Sequence, residues 1–345
     1  MALSSLLSKF NEPETLKMAK LGRELRASGI DVTDLNLDKP DFDTHDNIKN
    51  DEKKAIDDNF SHYTPVAGYA DLRQAVCTKL KRDNNLDYGP ENILVSTGAK
   101  QSIANAVLAI ADAGDEVIIP TPFWVTYSEI VKLAGGKVVL VKSTVKNNFK
   151  ITAQQLEAAI TAKTKLFMFS SPCNPSGAVY SKEELNGLAE VFKQHPAIYI
   201  LSDEIYEHIN YIGKHESIAQ FDFLKERVIL INGLSKAFAM TGWRLGYFAA
   251  NTEIVKACDK IQGQFTSAAC SITQRAAIEA LTGNLQPTQL MIEEFRKRRA
   301  RVMELIKDIP GFKCFAPEGA FYIFPDVSYY YGKSDGTQTV ANAAD

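Results

Sequence analysis

From residue 92 to residue 250, short apolar runs at 93–96, 117–119, 137–142, 165–170, 198–202, 228–231 and 245–250 recur along the chain. Helix-patterned segments at 99–111, 127–133, 153–161 and 181–193 fall between them. A strand that is apolar without alternation has both faces buried, and a helix between successive strands is the crossover that parallel pairing requires. The alternation therefore predicts an α/β fold, with a large domain built on a mixed, mostly parallel seven-stranded sheet covered by helices on both faces. Ligands of such sheets lie beyond the carboxyl ends of the strands, so the residues just after each strand are the candidates for chemistry.

Outside this region the patterns change. An amphipathic segment at 14–29 precedes residues 34–42, whose Asp, Lys and Pro content predicts a short strand running into a loop. A Pro- and Gly-punctuated loop at 61–69 leads to a helix over 71–82. Helical patterning returns at 271–307 with a break near 283–287, and 311–325 reads as the two-stranded start of an α+β unit. We expect residues 1–45 to form an N-terminal arm and part of a small domain, 46–285 the large domain, and 286–345 the rest of the small one. A net charge of −3 gives no reason to expect nucleic acid, and no run approaches the roughly 18 apolar residues of a membrane span. The five cysteines are odd in number and lack CxxC spacing, which fits a reducing, cytoplasmic setting and offers no metal-ligand pattern.

The strand ends carry polar residues with specific chemistry. Thr97-Gly98-Ala99-Lys100 opens a helix whose free N–H groups favour a phosphate, although neither GxxxxGK[ST] nor GxGxxG spacing is present. Trp124 brings an aromatic face to the same edge, for core packing or for stacking on a planar ring. Asn174 leaves a buried strand in a tight turn, where it caps its own backbone or faces a ligand. Asp203 ends a nearly all-apolar strand and needs a cationic or N–H partner. Lys236, between two apolar runs and near Arg244, is either a solvent-facing loop lysine or one whose ammonium is disfavoured, as a Schiff-base lysine requires.

Pyridoxal 5′-phosphate needs all of these together. It takes a lysine for its aldehyde, an acid at its pyridine nitrogen, donors to its phenolic oxygen, a stacked aromatic ring and a phosphate cradle. Lys236, Asp203, Asn174 with Tyr206, Trp124, and Gly98 to Lys100 with Ser235 and Arg244 supply them in that order.

Four motifs extend this: 63–68 (YTPVAG), 171–177 (SPCNPSG), 202–206 (SDEIY) and 235–244 (SKAFAMTGWR). With them the chain, from about residue 15 to residue 326, resembles the class I aminotransferases of the pyridoxal-phosphate fold-type I superfamily, and looks most like the bacterial aspartate aminotransferases. The resemblance implies that Lys236 holds the cofactor as a Schiff base and then moves the substrate proton, that Asp203 pairs with the ring nitrogen, and that Asn174 and Tyr206 bond the phenolic oxygen. It places Trp124 on the ring, and Ala99, Lys100, Ser235 and Arg244 at the phosphate. Tyr63 would reach the phosphate of a neighbouring subunit in a homodimer. Lys100 would favour the distal carboxylate of aspartate or glutamate, with 2-oxoglutarate as acceptor in a ping-pong cycle; prephenate is a further substrate of the subgroup.

Two departures bear on substrate binding. Asp38 stands where relatives carry a glycine against the substrate carboxylate, and an acidic side chain there opposes that carboxylate. No Arg follows Arg301, whereas relatives place a carboxylate-binding arginine well beyond the position of Pro325. The chain thus reads as a shortened aminotransferase, or as a shorter protein with another clamp. Elimination or decarboxylation on the same cofactor, and an inactive cofactor-binding dimer, are the alternatives to transamination.

Overall fold

The computed structural model describes residues 3–12, 14–33, 35 and 38–343. Helices α1 (Glu14–Ala27), α2 (Asp46–Asp57) and α3 (Ala70–Asn84) precede an alternating series. It runs β1 (Ile93–Ser96), α4 (Ala99–Ile110), β2 (Glu116–Pro120), α5 (Thr126–Leu133), β3 (Lys137–Val141), α6 (Ala153–Ala159), β4 (Thr164–Ser170), α7 (Lys182–Gln194) and β5 (Tyr199–Asp203). Then come β6 (Val228–Gly233), β7 (Gly246–Ala249), α8 (Thr252–Phe265), α9 (Ser271–Thr282), α10 (Gln286–Ile306), β8 (Lys313–Cys314) and β9 (Pro325–Asp326).

The seven strands from β1 to β7 form one sheet in the order β1-β7-β6-β5-β4-β2-β3, parallel except where β7 pairs with β1 and β6. Successive residues of each strand face opposite sides, and both sides are apolar and covered except along the edge strand β3, where Lys137 and Leu140 are exposed. Phe167 and Phe169 of β4 join one core with Ile118, Ile200 and Leu230, while Leu166 and Met168 join the other with Val117, Leu201 and Ile231. This double burial is why the strands read as continuous apolar runs. The small antiparallel pair β8–β9 stands apart from the large sheet, as expected for 311–325.

Helix starts are fixed locally. Ser181 Oγ accepts from the Glu184 N–H while Glu184 accepts from the Ser181 N–H, so α7 begins with a capping box, and α6 begins the same way at Thr152 and Gln155. Two helices lie outside the segments that the sequence marks as helical. In α2 only Ile48 and Ala55 are buried, in an otherwise charged stretch that rests on α9. In α8 the buried stripe includes Gln262, whose amide donates to the carbonyls of Val66 and Val95 and accepts from Asn105. The short strand expected within 34–42 is absent from residue 35 and from 38–42; Asp34, Asn36 and Leu37 lie outside the described residues.

Beneath the loop after β5, Lys79 of α3 donates to Glu207, and both side chains are almost wholly buried. Asn84 and Asn232 donate to the same carboxylate at 2.9 and 2.8 Å. Lys79→Met leaves Glu207 charged without its cation, so we expect a loss of about 3–5 kcal/mol of stability. Urea denaturation checks this: the midpoint falls at an unchanged m-value, and an unmoved midpoint contradicts it.

Candidate active site

Every strand of the large sheet except β7 runs in the same sense, so the carboxyl ends of β1, β2, β4, β5 and β6 share one edge. The reversed β7 brings its own start, with Arg244 just ahead of it, to that edge as well. The register sets Ser170 beside Asp203, Asp203 beside Ile231, and Gly246 beside both Ser96 and Gly233. A cavity of about 370 Å³ opens there, within the size range of small-molecule sites.

Asp203 and Lys236 both line this cavity and are only 4% and 8% exposed. Asp203 has neutral donors: the Tyr127 hydroxyl at 2.6 Å to one oxygen, and the Ile205 N–H at 3.3 Å to the other. Burial pushes its carboxyl up to about 6 against the pull of these two bonds. Burial also pulls the Lys236 amine below its ordinary value; Asp38 and then Asp203 oppose this, and Arg244 adds a smaller push in the same direction as burial. The expected cationic neighbour of Lys236 is thus the lesser influence, because Asp38 supplies two acceptors to its Nζ, a carbonyl oxygen and a carboxylate oxygen at 3.2 Å.

Asn174 Nδ2 donates to the Tyr322 hydroxyl at 3.0 Å, and that hydroxyl is hydrogen-bonded to the Tyr206 hydroxyl. Burial first, then the nearby Asp38 charge for Tyr206, holds both phenols well above their ordinary value, so they stay protonated donors. Trp124 packs edge-on against Tyr127 and carries Lys100 Nζ 4.9 Å from its ring centroid. Burial lowers the Lys100 amine, partly countered by Asp38.

At the start of α4 the chain has no room for side chains. Gly98 adopts φ +85°, and a Cβ there would fall 2.4 Å from Arg244 Nη2; one on Gly246 would fall 2.2 Å from the Ala99 nitrogen. The helix N-terminus, the Arg244 guanidinium and Ser235 therefore converge on one end of the site, where helix N–H groups favour an anion.

The structure brings Asp38, Ala99, Lys100, Trp124, Asn174 and Asp203 into one cavity with Tyr206, Ser235, Lys236 and Arg244. Gly98 stands behind Arg244. Tyr63 is fully exposed and lines a separate recess with His62 and Ser267. Tyr127, Tyr322 and Thr241 were not anticipated as site residues. Tyr127 and Tyr322 sit in apolar stretches that read as core; the one available signal was that Tyr127 follows Trp124 by three residues at the same strand end. Glu204, Glu207 and His215 bring ligand atoms within 4.8 Å of one another, but Lys79, Ser202, Ser217 and the asparagines already occupy these carboxylates.

A lysine with a disfavoured charge, a buried acid with neutral donors and a helix N-terminus beside an arginine share one α/β cavity. Residues 30–340 match the family described as aminotransferase class I and II. The chain belongs to that family and is an aminotransferase of the aspartate aminotransferase-like kind. It is 44% identical to the aspartate/prephenate aminotransferase of Cereibacter sphaeroides, over 96% of this chain and 84% of that one. It is 45% identical to the aspartate aminotransferase of Bacillus subtilis, over 94% and 83% of the two chains. Among solved structures, the aspartate aminotransferase of Rhizobium meliloti superposes with a TM-score of 0.96 at 39% identity, covering 100% of this chain and 87% of that one. The Thermus thermophilus aspartate aminotransferase with maleate gives 0.91 at 38%, covering 96% and 86%.

The family works with pyridoxal 5′-phosphate, and the residues present fit that group. Asp203 is a buried acid able to accept from a cationic ring nitrogen, and the Gly98 and Gly246 positions leave the N–H end of α4 open beside Arg244. Among the described residues, no helix is long and apolar enough to cross a membrane.

Proposed function

We propose that this chain transfers the amino group of L-aspartate to 2-oxoglutarate in a ping-pong cycle, with Lys236 as the point of cofactor attachment. The observation that carries the reading is the shared cavity of Lys236 and Asp203, one an amine whose charged form burial disfavours and the other a buried acid whose hydrogen-bond donors are neutral. When bound, the cofactor supplies an aldehyde for the amine and an electron-poor ring that takes up the electron pair of the substrate Cα–H bond.

The chain's own residues do the rest. Asp203 holds a proton at the ring nitrogen, and Tyr127 and the Ile205 N–H keep its carboxylate oriented. Asn174 and Tyr206 would donate to the cofactor's phenolic oxygen, Trp124 would pack on its ring, and Gly98 to Lys100 with Ser235 and Arg244 would hold its phosphate. Lys236 would serve as the base that takes the proton from substrate Cα, as its position in the cavity beside Asp203 allows. Lys100 supports a dicarboxylic substrate, because its ammonium projects over Trp124 within the cavity. The full exposure of Tyr63 supports a homodimer in which it reaches the partner's phosphate end.

A half-reaction tests substrate and order together. Loaded protein mixed with L-aspartate and no keto acid should release one oxaloacetate per bound cofactor and change its absorbance once. Failure to release oxaloacetate would remove the aspartate assignment, and repeated turnover without a keto acid would remove the ping-pong order.

A further inference from the structure

Two carboxylates line the cavity, and the reading above gives a role only to Asp203. The other, Asp38, lies on the irregular segment after α1. Lys236 Nζ donates both to the Asp38 carbonyl oxygen and to Asp38 Oδ2, and the Tyr322 hydroxyl donates to that same Oδ2 at 3.3 Å. Tyr322 is in turn bonded to Asn174 and Tyr206, so Asp38 is tied into the set of groups that face the cofactor. The segment is anchored on its far side as well: Asp41 pairs with Arg298 at 2.7 Å, and Thr44 Oγ1 donates to the Ala239 carbonyl at 2.8 Å.

The charged groups facing Lys236 Nζ are Asp38 from this segment, Asp203 from β5 and Arg244 ahead of β7. The rings of Tyr206 and Phe321 lie 5.6 and 5.7 Å from it. Burial and Arg244 work against the ammonium, and Asp38 is the larger of the two acidic influences that favour it.

We propose that Asp38 is a positioning residue for Lys236, which aims the amine into the cavity, opposes the loss of its extra proton and so governs the pH range over which it condenses with an aldehyde. The inference rests on the proposed attachment at Lys236. For condensation the ammonium gives its extra proton to solvent. The amine then forms a C=N bond to the aldehyde carbon, and the carbonyl oxygen leaves as water with the two remaining N–H hydrogens. The contacts from Nζ to Asp38 break in the process, because the hydrogens that made them are gone. A negative charge beside the amine delays the first of these events to higher pH.

Cofactor-free protein is incubated with pyridoxal 5′-phosphate across a pH series, reduced with borohydride, and the labelled fraction read by intact mass and peptide mapping. Asp38→Asn should lower the pH of half-maximal labelling at Lys236 by about one unit. Asp38→Glu, which restores the charge, should bring it back toward the parent value. Equal midpoints in the parent and Asp38→Asn overturn the proposal, as does a shift that Asp38→Glu leaves unreversed, since shape rather than charge would then be acting. Absence of label on Lys236 in the parent protein at every pH overturns the attachment reading along with it.

Discussion

Lys236→Ala is expected to abolish covalent capture of pyridoxal 5′-phosphate and to lower transamination by at least about 10⁴-fold, the upper range for a single acid–base group. The loss is large because the same nitrogen serves twice, in holding the aldehyde and in carrying the substrate proton. Burial lowers the amine's basicity, the direction that both tasks require. Two other lysines line the cavity, Lys39 and Lys100. Borohydride-stable label that persists in Lys236→Ala would place the attachment on one of them, and the roles given to Asp203 and Trp124 would need to be redrawn around it.

Asp203→Asn is expected to retain cofactor binding and lose about 10²–10³-fold in turnover, the scale seen when one preorganised electrostatic group is removed from a reacting centre. The amide oxygen can still accept from the Ile205 N–H while its NH2 donates to the Tyr127 hydroxyl, which then acts as acceptor, so the loop after β5 keeps its geometry. What it lacks is a negative charge. In the free protein burial pushes the Asp203 carboxyl up to about 6, which means that its ionised form lacks full compensation until a cation is presented to it. A ring nitrogen that keeps its proton against this carboxylate is the compensation the site is built to receive. Cofactor affinity by fluorescence and turnover with aspartate separate the two effects; undiminished turnover in Asp203→Asn would show that no electron sink depends on this residue.

The placement of the candidate site residues was legible in the sequence because they sit where strands stop. The runs 198–201 and 228–231 are apolar at every position, so the polar residues that follow them, Ser202 and Asp203 after the first and Asn232, Ser235 and Lys236 after the second, stand out as placed at one edge of the sheet. Arg244 was legible for a related reason: it precedes the apolar run that becomes the reversed strand β7. Tyr127 and Tyr322 were not legible as site residues, since a tyrosine among apolar neighbours looks the same whether its hydroxyl meets a carboxylate or a backbone carbonyl. The contact between Asp38 and Lys236 joins positions 198 residues apart, and no local pattern reports a hydrogen bond across that distance. The helices α2 and α8 have little apolar content to mark them: α2 buries only Ile48 and Ala55 in a stretch rich in charge, and one of the four buried positions of α8 is Gln262.

An experimental structure of the protein crystallised with pyridoxal 5′-phosphate tests the central claim most directly. The account predicts electron density continuous with Lys236 Nζ and a ring nitrogen within hydrogen-bond distance of the Asp203 carboxylate. Density joined to a different lysine, or a ring whose nitrogen faces away from Asp203, would contradict it.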